Sequence, residues 1–128
     1  INTYESWLAF SNKARSHRDR LSEIIYTTKN KILAYGASAR SSTLLNYCEV
    51  SHQHITAVID KNPLKHGMLT PGSKIPIISY EEGLLHLERN KLILLLAWNF
   101  REEVVVDLRN SGYQGQFIFP LPGEPRIQ

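Results

Sequence analysis

Cysteine is almost missing from this 128-residue chain, Cys48 being the only one. A disulfide framework needs pairs and a thiolate metal cluster needs several ligands, so both are excluded. Cys48 falls in an apolar helical pattern, the place of a buried, inert thiol. A reducing, cytoplasmic setting is the expectation. Long apolar runs are missing too. The longest, residues 92–98, falls far short of the roughly 20 residues a membrane-spanning helix requires. No charged-then-apolar leader opens the chain, so secretion is not indicated. It begins with Ile1 rather than methionine, and a piece of a longer protein is expected. Lys and Arg exceed Asp and Glu by 15 to 12, a net charge of +3. They form no dense run and no strip interleaved with aromatics, so nucleic acid is not an expected partner. The mild positive balance either helps an anionic ligand approach or marks an ordinary solvated surface.

What is present describes one soluble domain. The chain is 42% apolar and 21% charged, the balance of a globular protein, and its length suits a single core. Residues 1–29 read as a leading helix, 30–120 as a sheet and helix core, and 121–128 as a tail. Asn2 and Glu5 form a capping-box pattern. Trp7, Phe10, Ala14, Leu21, Ile24 and Ile25 then supply an apolar stripe, interrupted by the basic, polar stretch 12–20. Strands are expected at 32–35, 55–59, 75–78, 92–97 and 117–119. Helices are expected at 41–47, at 79–89 behind a Ser79/Glu82 capping box, and at 100–108. Pro63, Gly67, Pro71 and Gly72 mark 61–74 as a loop. Pro76 places the third strand at an edge, and Pro120, Pro122 and Pro125 end regular structure. Strands alternating with helices give a parallel α/β sheet, a small Rossmann-like three-layer sandwich of order 3-2-1-4-5.

In such sheets ligands sit beyond the carboxyl ends of the strands, near the switch in strand order. Three features converge there. The first is the turn after strand one, where Gly36, Ala37, Ser38, Arg40, Ser41 and Thr43 lead from an apolar strand into a helix. A helix N-terminus favours an anion, although Gly36 stands alone and G-x-G-x-x-G is not satisfied. The second is Asp60, at the end of strand two, placed to meet a ribose hydroxyl or to form an Asx turn with Asn62-Pro63. The third is Trp98-Asn99 after strand four, able to stack a base or sugar and bond it, or to pack on a neighbouring domain.

The simpler readings stand beside these. Gly36 suits a turn in any α/β domain, the hydroxyls around it suit helix capping, and Arg40 suits solvent as well as an anion. Lys61, Lys65 and His66 make the 61–74 loop basic, either a lid near a diphosphate or a mobile surface loop. His52 and His54 lack a third ligand at metal spacing. His17 and His86 are expected to face solvent. G-A-S-A-R is not a nucleophile elbow.

YGASARSSTLLNYCEV, then AVIDKNPLKHGMLTPGSKIPI, LLLAWNFREEV and GQFIFPLP, resemble the C-terminal domain of bacterial nucleotide-sugar C-methyltransferases. Four motifs in order, spanning nearly the whole chain, carry the likeness. That family methylates a keto-sugar carbon with S-adenosylmethionine. The resemblance implies a Rossmann-like domain that follows a zinc-binding N-terminal domain and a cofactor-binding middle domain. It implies a nucleotide diphosphate sugar enclosed against that middle domain. It also implies that no cofactor is bound here and that no catalytic group lies on this chain. The family's turn commonly reads Gly-Ala-x-x-Lys-Gly. Arg40-Ser41 replaces the last pair, keeping the charge and crowding the backbone. The AVIDKNPLKHGMLTPGSKIPI segment also resembles sugar epimerases and dehydratases. A nucleotide-binding module of that type, and a non-catalytic interaction domain, are the alternatives.

Overall fold

In a computed structural model, which describes residues 3–128, the sheet is set by its two central strands. β1 (Ile32–Tyr35) buries all four residues and β4 (Leu92–Leu95) three of four. Strands apolar on both faces need a layer of helices on each side. β1 pairs in parallel with β2 (Ile55–Ile59) and with β4. β3 (Ile77–Ile78) adds to β2, and β5 (Gln116–Phe119) to β4, also in parallel. The resulting order, β3-β2-β1-β4-β5, agrees with the sequence expectation.

The alternation of side chains along β1 assigns the helices. Ile32 and Ala34 pack with Leu21 and Ile25 of α1 (Thr3–Tyr26) and Leu45 of α2 (Ala39–Tyr47). Leu33 and Tyr35 point to the other face and pack with Val104 and Leu108 of α4 (Arg101–Asn110). The short α3 (Tyr80–Leu84) contributes Tyr80 and Leu84 to that second layer. Helices α2 and α4 therefore leave adjacent strands toward opposite faces.

Several expectations need correction. A sixth strand, β6 (Arg126–Ile127), runs antiparallel to β5, so 121–128 is a sheet edge and the proline cluster does not end regular structure. Phe117 and Gln128 exchange N–H···O bonds of 2.7 and 2.9 Å there. Two residues are too few to show a period, which hides such a strand in the sequence. The third strand begins at Ile77 rather than Ile75, because residues 67–76 fold back along its free edge. Gly67 N–H donates to Ile77 O and Ile77 N–H to Met68 O, at 3.0 and 2.9 Å. That pairing covers an edge which would otherwise be open, and it ties down a segment expected as a loose loop. The helix expected over 79–89 is α3 followed by a separate 3-10 turn, Leu87–Arg89.

The leading helix departs furthest. Its last third carries the buried Leu21 and Ile25, whereas Trp7 and Phe10 are 61% and 72% exposed. The apolar stripe is thus core only at one end. Asn2 of the capping-box pattern lies outside the described residues. His17 is half-buried rather than solvated, with Nε2 2.6 Å from the Pro120 carbonyl oxygen, and His86 is half-buried as well.

Candidate functional site

β1 and β4 lie side by side while their following helices diverge, and a crevice opens at their carboxyl ends. Its volume is about 670 Å³. Gly36, Ala37, Ser38, Arg40, Ser41, Asp60, Trp98 and Asn99 all line it. Thr43 does not. It sits one helical turn along α2, exposed, with its hydroxyl donating to the Ala39 carbonyl at 3.0 Å. That is an ordinary use of a helical threonine.

The α2 side of the crevice is held by a chain of hydrogen bonds. Gly36 has φ +101°, and a Cβ there would stand 2.7 Å from Ala97 Cβ and 2.9 Å from Ala97 N. Both the dihedral and the close approach require glycine. Its N–H donates to Ile59 O at 2.8 Å. Asp60 then fixes the next residue, with Oδ2 accepting Ala37 N–H and Oδ1 accepting Asn62 N–H, both at 2.8 Å. The carboxylate is therefore an Asx turn and a brace for the β1 turn at once. Ser38 caps α2, its Oγ accepting Ser41 N–H at 3.1 Å. Buried Ser41 adds a hydroxyl contact of 2.9 Å to the same oxygen. At such a helix start the N–H groups of the first residues, Ala39 and Arg40, have no intrahelical acceptor. Ala39 and Arg40 both line the crevice, and the exposed Arg40 side chain makes no ion pair with a described residue.

The loop after β2 closes one flank. Lys65 Nζ donates to the Ala37 carbonyl and stands 4.0 Å from Asp60 Oδ2. His66 Nε2 lies 2.6 Å from Asp60 O. Lys61 Nζ meets Asp107 Oδ2 at 3.1 Å and lies 5.1 Å from the Tyr80 ring centroid. The Asp107 bond holds the Lys61 ammonium above its ordinary range. On the far rim, Trp98–Phe100 forms a 3-10 turn. Trp98 is half-buried and Asn99 exposed, and the side chain of neither hydrogen-bonds a described residue.

Sequence reasoning missed Tyr35, Glu103 and Asp107, which also line the crevice. Tyr35 was hidden in the apolar run ILAY, and the two acids look like the solvated face of α4. Burial pushes the Tyr35 phenol above its usual value, with Lys61 opposing. His54 Nδ1 accepts Ser51 N–H at 3.1 Å, and no three His, Cys, Asp or Glu gather around one point among the described residues. Burial likewise raises the Cys48 thiol. No described helix is long and apolar enough to cross a membrane.

A mainly parallel sheet with helices on both faces, and a crevice over the β1/β4 switch, defines a Rossmann-like domain. The chain belongs to the C-methyltransferase C-terminal domain family, which it matches over residues 1–122. C-methyltransferase NovU of Streptomyces niveus is 34% identical over 128 residues, covering 97% of this chain and 29% of NovU. The chain therefore spans under a third of that relative's length. A crystal structure of UDP-D-quinovosamine 4-dehydrogenase from Vibrio fischeri aligns with a TM-score of 0.54 at 20% identity, covering 79% of this chain and 94% of that one. At that identity the likeness is one of fold.

Proposed function

We propose that residues 1–128 form one domain of a larger S-adenosylmethionine-dependent C-methyltransferase and help to hold its nucleotide diphosphate sugar. In this reading the diphosphate lies against the start of α2 and the Arg40 guanidinium, and Trp98 with Asn99 covers the ring beyond it. The observation that carries it is the convergence of a capped, cationic helix N-terminus and an open Trp-Asn turn on one crevice.

The methyl donor fits poorly here. Asp60, the acid at the end of β2 that would meet a ribose, already accepts two backbone N–H groups, and Gly36 is the turn's lone glycine. Cofactor, zinc and the general base that deprotonates the sugar carbon are assigned to other domains, as the family resemblance implies. This chain's part is binding and orientation, which raise the rate by fixing geometry. A reduced, cytoplasmic setting belongs to the same reading.

Two charge-assisted hydrogen bonds at about 1.5–3 kcal/mol each bracket the roughly 4 kcal/mol of a millimolar Kd. Titration with thymidine diphosphate and thymidine diphosphate glucose, followed by backbone amide shifts and the Trp98 indole, therefore tests the reading directly. Shifts confined to residues 36–41 and 98–99 are expected. No shift at millimolar probe would overturn substrate binding by this chain on its own, leaving either binding that requires the middle domain or a purely structural role. Tight binding of free NAD instead would point to the dehydratase type of module.

A further inference from the structure

Buried tyrosines almost always find a partner for the hydroxyl. Those packed into this fold do so with one exception. Tyr113 donates to Gln116 O at 3.1 Å. Tyr80 reaches Asp107 O at 3.1 Å and Ser111 Oγ at 2.7 Å. Tyr35 is only 6% exposed, yet its hydroxyl bonds no described residue. No buried side-chain oxygen or nitrogen among the described residues is both sealed from solvent and unpartnered, so this oxygen keeps access to solvent, and Tyr35 lines the crevice. An oriented donor and acceptor is thus held at the crevice floor by a ring fixed edge-on to Tyr80, 6.4 Å between centroids.

The charges around the crevice decide what it meets. Tyr35 projects from the sheet face that carries α4. Glu103, exposed in the first turn of α4, and Asp107 stand on that side, and Lys61 is paired with Asp107. Carboxylates repel a phosphate and accept hydrogen bonds from hydroxyls. The start of α2, with Arg40, is the side suited to phosphate. We infer that the Tyr35 hydroxyl is a specificity-determining contact to the sugar ring beyond the diphosphate, on the α4 side of the crevice. This inference rests on the substrate-binding reading above and goes further, because it orients the ligand: phosphates toward α2, pyranose hydroxyls toward Tyr35.

Calorimetric titration of the chain and of Tyr35→Phe with two probes tests it. The substitution removes one oxygen that has no protein partner, so the melting temperature should stay unchanged. Affinity for thymidine diphosphate glucose should fall about three- to tenfold, the weight of one hydrogen bond. Affinity for thymidine diphosphate, which lacks the pyranose, should be the same in both proteins, whereas Arg40→Ala should weaken both probes. Equal affinities of Tyr35→Phe and the unsubstituted chain for the sugar nucleotide would overturn the inference and leave the substrate-binding reading standing. Equal weakening of both probes would also overturn it, by placing the hydroxyl on the nucleoside diphosphate. A lowered melting temperature would overturn it by exposing a protein partner. Failure of the unsubstituted chain to bind either probe would sink the substrate-binding reading and the inference with it.

Discussion

The turn after β1 is braced by hydrogen bonds at Gly36, Ala37 and Ser38, whereas the turn after β4 keeps its side chains open. In the first, Gly36 N–H, Ala37 N–H and the Ser38 hydroxyl are all engaged by Ile59, Asp60 and Ser41. In the second, the backbone is equally regular, with Ala97 N–H on Tyr35 O and Phe100 N–H on Ala97 O, both at 3.0 Å. The Trp98 and Asn99 side chains nevertheless have no hydrogen-bond partner among the described residues. Folding alone explains the residue types of the first turn. It does not ask for tryptophan or asparagine in the second. The two turns also touch, through Gly36 and Ala97, so the braced one sets where the open one stands.

Breaking the brace should produce the largest effect. Gly36→Ala must take a left-handed backbone and drive a methyl into Ala97. Strain of about 1–3 kcal/mol and overpacking of similar size together give a loss of about 2–6 kcal/mol. A lowered urea midpoint at constant m-value would register it. Asp60→Ala comes next. It strands the Ala37 and Asn62 N–H groups, at a cost of about 1–3 kcal/mol. Asp60→Asn, which keeps one oxygen acceptor, should lose less. Unchanged stability in Asp60→Ala, with lost nucleotide binding, would break the comparison by making Asp60 a ligand group rather than a brace.

How far the sequence reached follows the same division. Short-range rules located the Gly36 turn, a group of capping hydroxyls after it, the Ser79 cap and the apolar central strands, because each depends on residues within a few positions. The strand order also followed, since parallel crossovers leave few arrangements. What was hidden depends on distant partners. Asp60 was placed at the right strand end, but its bond to Ala37 joins residues 23 apart in the chain. Tyr35 looked like core, and only the absence of a protein partner for its hydroxyl separates it from Tyr113. Thr43 was grouped with Ser38 and Ser41 by proximity in sequence. Two residues beyond Ser41, a helix has turned about 200°, which carries it off the crevice. The exposure of Trp7 and Phe10 was illegible for a similar reason: an amphipathic stripe says which residues align, not how far the sheet extends beneath them.

The smallest structural effect should come from the open turn, and it sharpens the comparison most. Asn99 is exposed and its amide bonds no described residue, so Asn99→Ala should change stability by less than about 0.5 kcal/mol. If the open turn serves the ligand, the same substitution should weaken thymidine diphosphate glucose about three- to tenfold, as loss of one hydrogen bond does. A variant that folds as well as its parent and binds less well separates ligand contact from architecture, which Gly36→Ala cannot do. Full affinity in Asn99→Ala would confine binding to the α2 start and the sheet floor. Trp98–Phe100 would then be better read as a surface that another domain covers, consistent with a chain that spans 29% of the relative it matches.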